Sequence, residues 1–471
     1  MMSSHVHHLL KTVLCFGGLL SISSAVPIDE RNFSPQDIIT RDVCIIGGGA
    51  TGTYSAVRLS QDMGKSVVIL EKTDRLGGHT QTYTDPVTGF PLDYGVQAYH
   101  NISVVTNFFA RFGVGLSAVP FTTPFTTEYV DLTTGKVVPG YTPPDPTLAL
   151  EILAGQLELY PYLPGGYSLP DPVPADLLLP FGDFVTKYGL EAAVPLIWTF
   201  AHGVGDLLKA TTLYVFQNFG LPQLESIATA FLTTTDHDNS ELYLKASALL
   251  GSNVLYESTL VDVDRYDNAT QQITVQTPTG LKLIKAKKLL VTMPPILDNL
   301  GTFILDHHEE STFKQWQYTT YFTGIIRNGV PDDVNVVNTA KSTTYNIPLP
   351  PFVREYAFSG IPGLHTFSTV STDPQSLAQV EALIMGDVTA MEAAGTFPAS
   401  TPIIEVISNH SPIQMRVPAD AVKDGFYSDL YALQGRHGTF WTGAAWAPDD
   451  SSLLWAFTEG ILPLVVAALA S

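Results

Sequence analysis

The sequence predicts an α/β fold in which a parallel-sheet unit is interleaved with an α+β region, and three observations predict it. The first is the stretch from Asp42 to His79, where an apolar strand over residues 43–46 meets Gly47-Gly48-Gly49-Ala50-Thr51-Gly52, then a helical pattern with Ala56, Val57 and Leu59, then a second strand over 66–70. The second is a return to strands far along the chain, alternating over 273–277 and 281–286 and closing on Lys288-Leu289-Leu290-Val291-Thr292-Met293-Pro294-Pro295. The third is segregation elsewhere: helical spacing fills 175–230, and strand-like runs between turn signals fill much of 300–420.

The opening βαβ unit carries G-x-G-x-x-G in the context that gives the motif meaning, after a strand and at the start of a helix. Gly47 turns the chain, Gly49 lets the backbone approach a pyrophosphate, and Gly52 lets helix and strand pack closely. Ala50 and Thr51 then form the helix start that faces the phosphates. Glu71 stands nineteen residues after Gly52, where an acid accepts hydrogen bonds from an adenosine ribose diol and disfavours a 2′-phosphate. These residues predict a Rossmann-type site for a dinucleotide other than NADP.

The next residues separate the dinucleotides. Glu71-Lys72-Thr73-Asp74-Arg75-Leu76-Gly77-Gly78-His79 fits E-x-x-x-R-x-G-G-H and resembles the extended FAD signature of the flavin-containing amine oxidase superfamily. The resemblance implies that Arg75, Gly77 and Gly78 continue the cofactor wall beside the pyrophosphate. It leaves two roles open for His79, donor to a phosphate or covalent tether of the flavin. Phe90 onward, through Asp93-Tyr94-Gly95-Val96-Gln97, resembles the segment that passes the isoalloxazine ring.

Residues 120–180, rich in Pro, Thr and Gly, read as a surface-winding entry to a second region. Within 175–230 the spacing of Leu178, Phe181, Phe184 and Val185, then Val194, Ile197, Trp198 and Ala201, is helical. Its aromatics are core residues or the lining of a greasy pocket, and the lone His202 and His237 have no ligand-spaced partners, so no metal site is expected. A helix over 241–250, the strands that follow and the VTMPP ending resemble the family's second FAD-binding block, which implies backbone contact between Leu260 and the adenine. Gly438-Thr439-Phe440-Trp441-Thr442-Gly443 and the helix after Asp449-Asp450 resemble its third. There Gly443 makes the turn, and the helix N-terminus points its dipole at the flavin, favouring the reduced anion.

Taken whole, the resemblance implies a glutathione-reductase-like FAD-binding domain in three pieces, 40–120, 236–297 and 426–471. An amine-oxidase-like α+β substrate domain is interleaved with it, largely helical over 121–235 and a mixed sheet over 298–425. Within the superfamily the pattern is most like the fungal secreted beta-cyclopiazonate dehydrogenase-like oxidoreductases.

Composition bounds the rest. With 471 residues, 45% hydrophobic and 15% charged, the chain is that of a compact enzyme, and a net charge of −21 excludes nucleic acid and anionic membrane as partners. Lys11, an apolar run over 12–20 and Ser23-Ser24-Ala25 form a signal peptide over 1–25, with an N-terminal anchoring helix as the alternative. Cleavage removes Cys15 and leaves Cys44 alone, so the mature chain has no internal disulfide. The tripeptides at Asn32, Asn101, Asn268 and Asn409 match N-x-[ST], candidate glycosylation sites on a secretory route, secreted or lumenal. The apolar run over 461–470, at ten residues, is too short for a stable membrane span after signal removal.

The implied activity is hydride abstraction from an activated C–H of a small lipophilic substrate, with ring closure as one outcome and oxygen as electron acceptor. Three alternatives stay open: a redox-neutral double-bond isomerase of an unsaturated lipid, a simple amine oxidase, and a non-catalytic flavoprotein. No catalytic base is identifiable, because no lysine stands in a context that matches one near the flavin.

Overall fold

The computed structural model describes residues 30–119, 122–265 and 270–470. The signal segment with Cys15, and the turn carrying Asn268, lie outside them. The first sheet is assembled from three separated stretches of chain. In spatial order its strands are Thr259–Asp264, Gln271–Thr277, Gly280–Val291, Ile38–Ile46, Val67–Leu70 and Val254–Leu255, with Thr439–Trp441 beside the far end of Gly280–Val291. The strands from Val254 to Thr439 across the centre of this order run parallel.

One strand does two jobs. The alternating 281–286 run and the apolar 288–291 run, read from sequence as separate pieces, form a single twelve-residue strand. Its first part pairs antiparallel with Gln271–Thr277, and its later part runs parallel to Ile38–Ile46. The burial pattern explains the change of register with water: Leu289, Leu290 and Val291 are all fully buried, as a strand covered on both faces requires.

The second sheet is mixed, in the order Ile403–Asn409, Gln317–Arg327, Leu364–Ser371, Phe352–Phe358, Val334–Asn338, Thr126–Asp131 and Lys136–Val137. Helix Leu377–Ala393 covers one face with Val380, Ile384, Val388 and Met391. The helices between Phe181 and Ala228 pack on the other, in a core shared with the first sheet. Residues 122–180 hold more regular structure than their composition implies. Thr126–Asp131 is a strand parallel to Val334–Asn338, and Thr147–Leu157 is a helix that buries Ala149, Leu153 and Leu157. Pro and Gly mark the ends of these elements, which hid them in the sequence.

The C-terminal helix is also longer than its apolar run. Ser451–Ala470 spans 20 residues and is long and apolar enough to cross a membrane. In the fold its inner side is packed instead, with Trp455, Thr458, Leu462 and Val465 fully buried against the first helix and its neighbours.

The second sheet carries a pH-dependent element. Burial pushes the Asp387 carboxyl up to about 8, against its hydrogen bond with the Tyr356 hydroxyl at 3.2 Å. A carboxyl raised above its unfolded value of about 4 binds its proton more tightly in the folded chain. Stability is therefore fully present below pH ~4 and lost as pH rises towards about 8. Asp93, raised by burial to about 7, acts with the same sign. Between pH 7 and 8.5, above the range in which the buried histidines titrate, melting is expected to fall in the wild type, and Asp387→Asn is expected to flatten that fall.

Candidate cofactor cleft and active-site chamber

The glycine loop is held from every side before any ligand is considered. Thr292 Oγ1 donates to the carbonyls of Ile46 and Gly47, at 3.1 and 3.0 Å, tying the end of the long strand to the turn. Trp455 Nε1 donates to the Ala50 carbonyl at 3.1 Å, tying the last helix to the first. A Cβ on Gly52 would lie 1.9 Å from the Gly47 carbonyl oxygen, and one on Gly443 would lie 2.8 Å from the Thr292 carbonyl oxygen. Gly49 is different. A Cβ there would meet nothing closer than the Gly78 Cα at 3.9 Å, so this backbone faces open space. Ala50 and Thr51 open helix Ala50–Val57 beside that space.

Glu71 is buried and more occupied than its sequence role implies. Oε2 accepts the Gly48 N–H at 2.8 Å, and Oε1 accepts the N–H and hydroxyl of Thr73, both at 2.8 Å. Its own carbonyl accepts the Ser258 N–H at 2.9 Å, which brings the strand containing Leu260 alongside. The carboxylate thus organises the loop as well as offering its remaining lone pairs to a diol. Glu71→Ala is expected to weaken FAD retention by about 1.5–3 kcal/mol, read as the FAD dissociation constant in a fluorescence titration.

Arg75 serves the wall indirectly. Its guanidinium donates to the carbonyls of Leu76, Gly78 and Thr80, at 3.3, 2.7 and 2.8 Å, and so clamps the Gly77-Gly78 loop. That clamp holds Gly78 at φ +56°, with its Cα side against Gly49, while Gly77 packs on the Tyr243 ring.

His79 leads out of this loop into a row of rings. Its imidazole stacks on His410 at 4.2 Å, nearly parallel at 6°. His410 lies 6.2 Å from Tyr321, and Tyr321 lies 5.9 Å from His202. His410 Nε2 pairs with Gln81 Oε1 at 3.0 Å, and His202 Nε2 faces the Tyr321 hydroxyl at 3.4 Å. The row ends against Trp198, which packs on Phe352.

His410 is buried, and the three rings beside it are open at their surfaces but enclosed by protein. His79 is exposed and Tyr321 and His202 are half-buried, yet desolvation dominates the titration of all three. Side chains with both properties line an internal space. Burial, with Lys72 and Arg75 adding to it, holds His79 down at about 4, and burial holds His202 and His410 well below the usual imidazole value. All three are therefore neutral at pH 7. A neutral His79 imidazole keeps one N–H to offer a ligand oxygen.

The last helix starts at an acidic pair. Asp450 caps it, accepting the N–H groups of Ser452 and Leu453 at 2.9 and 3.1 Å. The helix end expected to present a positive dipole to the flavin therefore carries a carboxylate. Asp449 beside it is pushed up to about 6 by burial. A further acidic group, Asp306, Glu309 and His437, has ligand atoms within 4.8 Å of one another. Arg265 binds Glu309, and Arg436 and His437 pair with Asp306, which caps its own helix.

Of the sequence-derived residues, Gly47, Gly49, Ala50, Thr51, Gly52, Glu71, Arg75, Gly77, Gly78, His79 and Gly443 gather near the carboxyl ends of the parallel strands. Leu260 borders Glu71 through its strand. His410 and Tyr321 escaped sequence reasoning, and His202 was read there only as a lone histidine; strands far apart in the chain bring them together. Asn32, Asn101 and Asn409 are exposed.

Residues 45–112 match the profile of the NAD(P)-binding Rossmann-like domain family. Beta-cyclopiazonate dehydrogenase of Aspergillus oryzae is 38% identical over 434 residues, covering 91% of this chain and 93% of its own. An FAD-dependent oxidoreductase of Cochliobolus heterostrophus is 37% identical over 472 residues, 97% of each chain. Among solved structures, the CLA-producing fatty acid isomerase of P. acnes aligns with a TM-score of 0.72 over 90% of this chain and 98% of its own, at 17% identity. Cyclohexylamine oxidase of Brevibacterium oxydans aligns with a TM-score of 0.61 over 92% of this chain and 100% of its own, at 15% identity. These two likenesses are of fold.

Proposed function

Because this chain belongs to the family of the fungal beta-cyclopiazonate dehydrogenases and their FAD-dependent oxidoreductase relatives, we propose that it oxidises a lipophilic secondary metabolite at an activated C–H, allylic or alpha to nitrogen. A terpenoid, a polyketide or an indole alkaloid has the required chemistry, and internal capture of the resulting cation closes a ring. Bound FAD supplies the hydride acceptor, and oxygen restores it. The three-piece FAD-binding domain, and the secretory route through residues 1–25, belong to the same reading.

The observation that carries the proposal is the row of rings that runs from the cofactor loop at His79 to Trp198 and Phe352 in the apolar core. Its imidazoles are neutral, so they do not repel positive charge developing on a substrate carbon. The aromatic end excludes water and orients a flat or greasy body against the neutral rings. The fold shared with the fatty acid isomerase favours one competing reading, a double-bond shift without net oxidation.

Anaerobic mixing with terpenoid, polyketide and indole substrates separates them. Lasting bleaching of the yellow flavin, reversed by air, is the expected result. Product formation without net bleaching would replace oxidation by isomerisation, and turnover of simple amines alone would replace it by amine oxidation.

A further inference from the structure

The inner face of the second sheet carries a charge that the proposed chemistry does not use. Tyr321 pairs with Val370 across Gln317–Arg327 and Leu364–Ser371, and Val370 pairs with Phe352 on the next strand, so all three share a face. Phe352 and Val370 belong to the core under the helices, whereas Val353 and Tyr356 pack on the opposite face against Leu377–Ala393. Two residues separated by three positions reach one face only if the strand bulges. It does: Val353 pairs with Thr369 and Tyr356 with Phe367, one residue more on the first strand than on the second. The bulge turns both Arg354 and Glu355 inward, and bulges re-aim side chains in this way beside active sites.

Arg354 thereby enters the chamber as a guanidinium among Tyr321, His202 and apolar core. Glu355 pairs with one terminal nitrogen. The Nε–H is buried with no acceptor among the described residues, a state that buried donors rarely occupy. Burial lowers the guanidinium to about 10. Burial lowers His202 and raises the Tyr321 phenol, and the Arg354 charge reaches both, adding to the first and opposing the second. Lys72 and Arg75 add to the lowering of His79 by burial. In a chain of net charge −21, cations thus reach His79, His202 and Tyr321, with Asp449 opposing them at Tyr321.

We propose that Arg354 is the anchor for an anionic group on the substrate, a carboxylate or acidic enol, held beside the Tyr321–His202 end of the ring row. The inference rests on the oxidation of a lipophilic substrate in this chamber and narrows that substrate to an organic acid. The fork geometry of arginine suits such a group, and the orphaned Nε–H is the donor that receives it. Glu355 competes with the ligand for the same guanidinium.

The test uses the FAD-loaded protein titrated with octanoate and with octanamide, a neutral probe of similar length, followed by calorimetry. Octanoate is expected to bind at least about tenfold more tightly. Arg354→Gln is expected to abolish that preference, and Glu355→Gln to strengthen octanoate binding, a gain that a merely structural role does not produce. Equal behaviour of the two probes towards the wild type, including binding of neither, overturns the proposal without recourse to any variant. So does a preference that survives Arg354→Gln. Such a result leaves the oxidation reading intact, since that reading stands or falls on flavin bleaching with the substrate panel.

Discussion

Gly49→Val is expected to give a folded protein that retains no FAD, and Gly52→Ala a protein that neither folds normally nor retains it. The two glycines are three residues apart, and their surroundings are opposite. At Gly52 the new methyl would stand 1.9 Å from the Gly47 carbonyl oxygen, which Thr292 holds in place. Relief requires moving backbone, so the cost exceeds the ~1–3 kcal/mol of ordinary overpacking. At Gly49 no protein atom opposes a side chain within ordinary contact distance, the nearest lying at 3.9 Å. On the proposed placement the pyrophosphate fills that space, and a valine would take it. Far-ultraviolet circular dichroism and the FAD released on heating distinguish the outcomes. A Gly49→Val protein that keeps its flavin would show that the pyrophosphate lies elsewhere.

Arg265→Met is expected to destabilise the whole first sheet by about 3–5 kcal/mol, because it leaves a buried carboxylate unpaired. Arg265 binds both oxygens of Glu309, at 2.7 and 2.8 Å, with the side chains 2% and 0% exposed. The same guanidinium donates to the Ile304 carbonyl and the Thr439 hydroxyl, at 3.0 and 3.2 Å, and packs over Phe303 at 5.2 Å. It therefore joins the outer hairpin, the helix His307–Phe313 and the strand Thr439–Trp441. Urea unfolding of the variant measures the loss. Glu309→Gln removes the charge but keeps most of the shape, and is expected to lose less.

The glycine-loop part of the candidate cofactor site was legible in the sequence because it is local. Gly47 to Gly52, Glu71 and Gly77-Gly78 sit within one βαβ unit, and their spacing is dictated by a turn, a helix and a strand of fixed rise. The occupancy of Glu71 by Gly48 and Thr73 was not legible, since hydrogen bonding within a loop leaves no periodic trace. The chamber was hidden for a different reason. His79, His202, Tyr321, Arg354 and His410 come from five separated segments, and the bulge that turns Arg354 inward is an alignment between two strands, visible only once they pair. The apolar run over 461–470 understated the apolar length of helix Ser451–Ala470, because Ser451, Ser452 and Thr458 are polar residues that the fold buries.

The most direct measurement is the visible spectrum of the purified protein, followed by identification of the nucleotide set free on denaturation. The account predicts yellow protein that releases FAD in an amount equal to the chain. Colourless protein that stays colourless after refolding with excess FAD would contradict it.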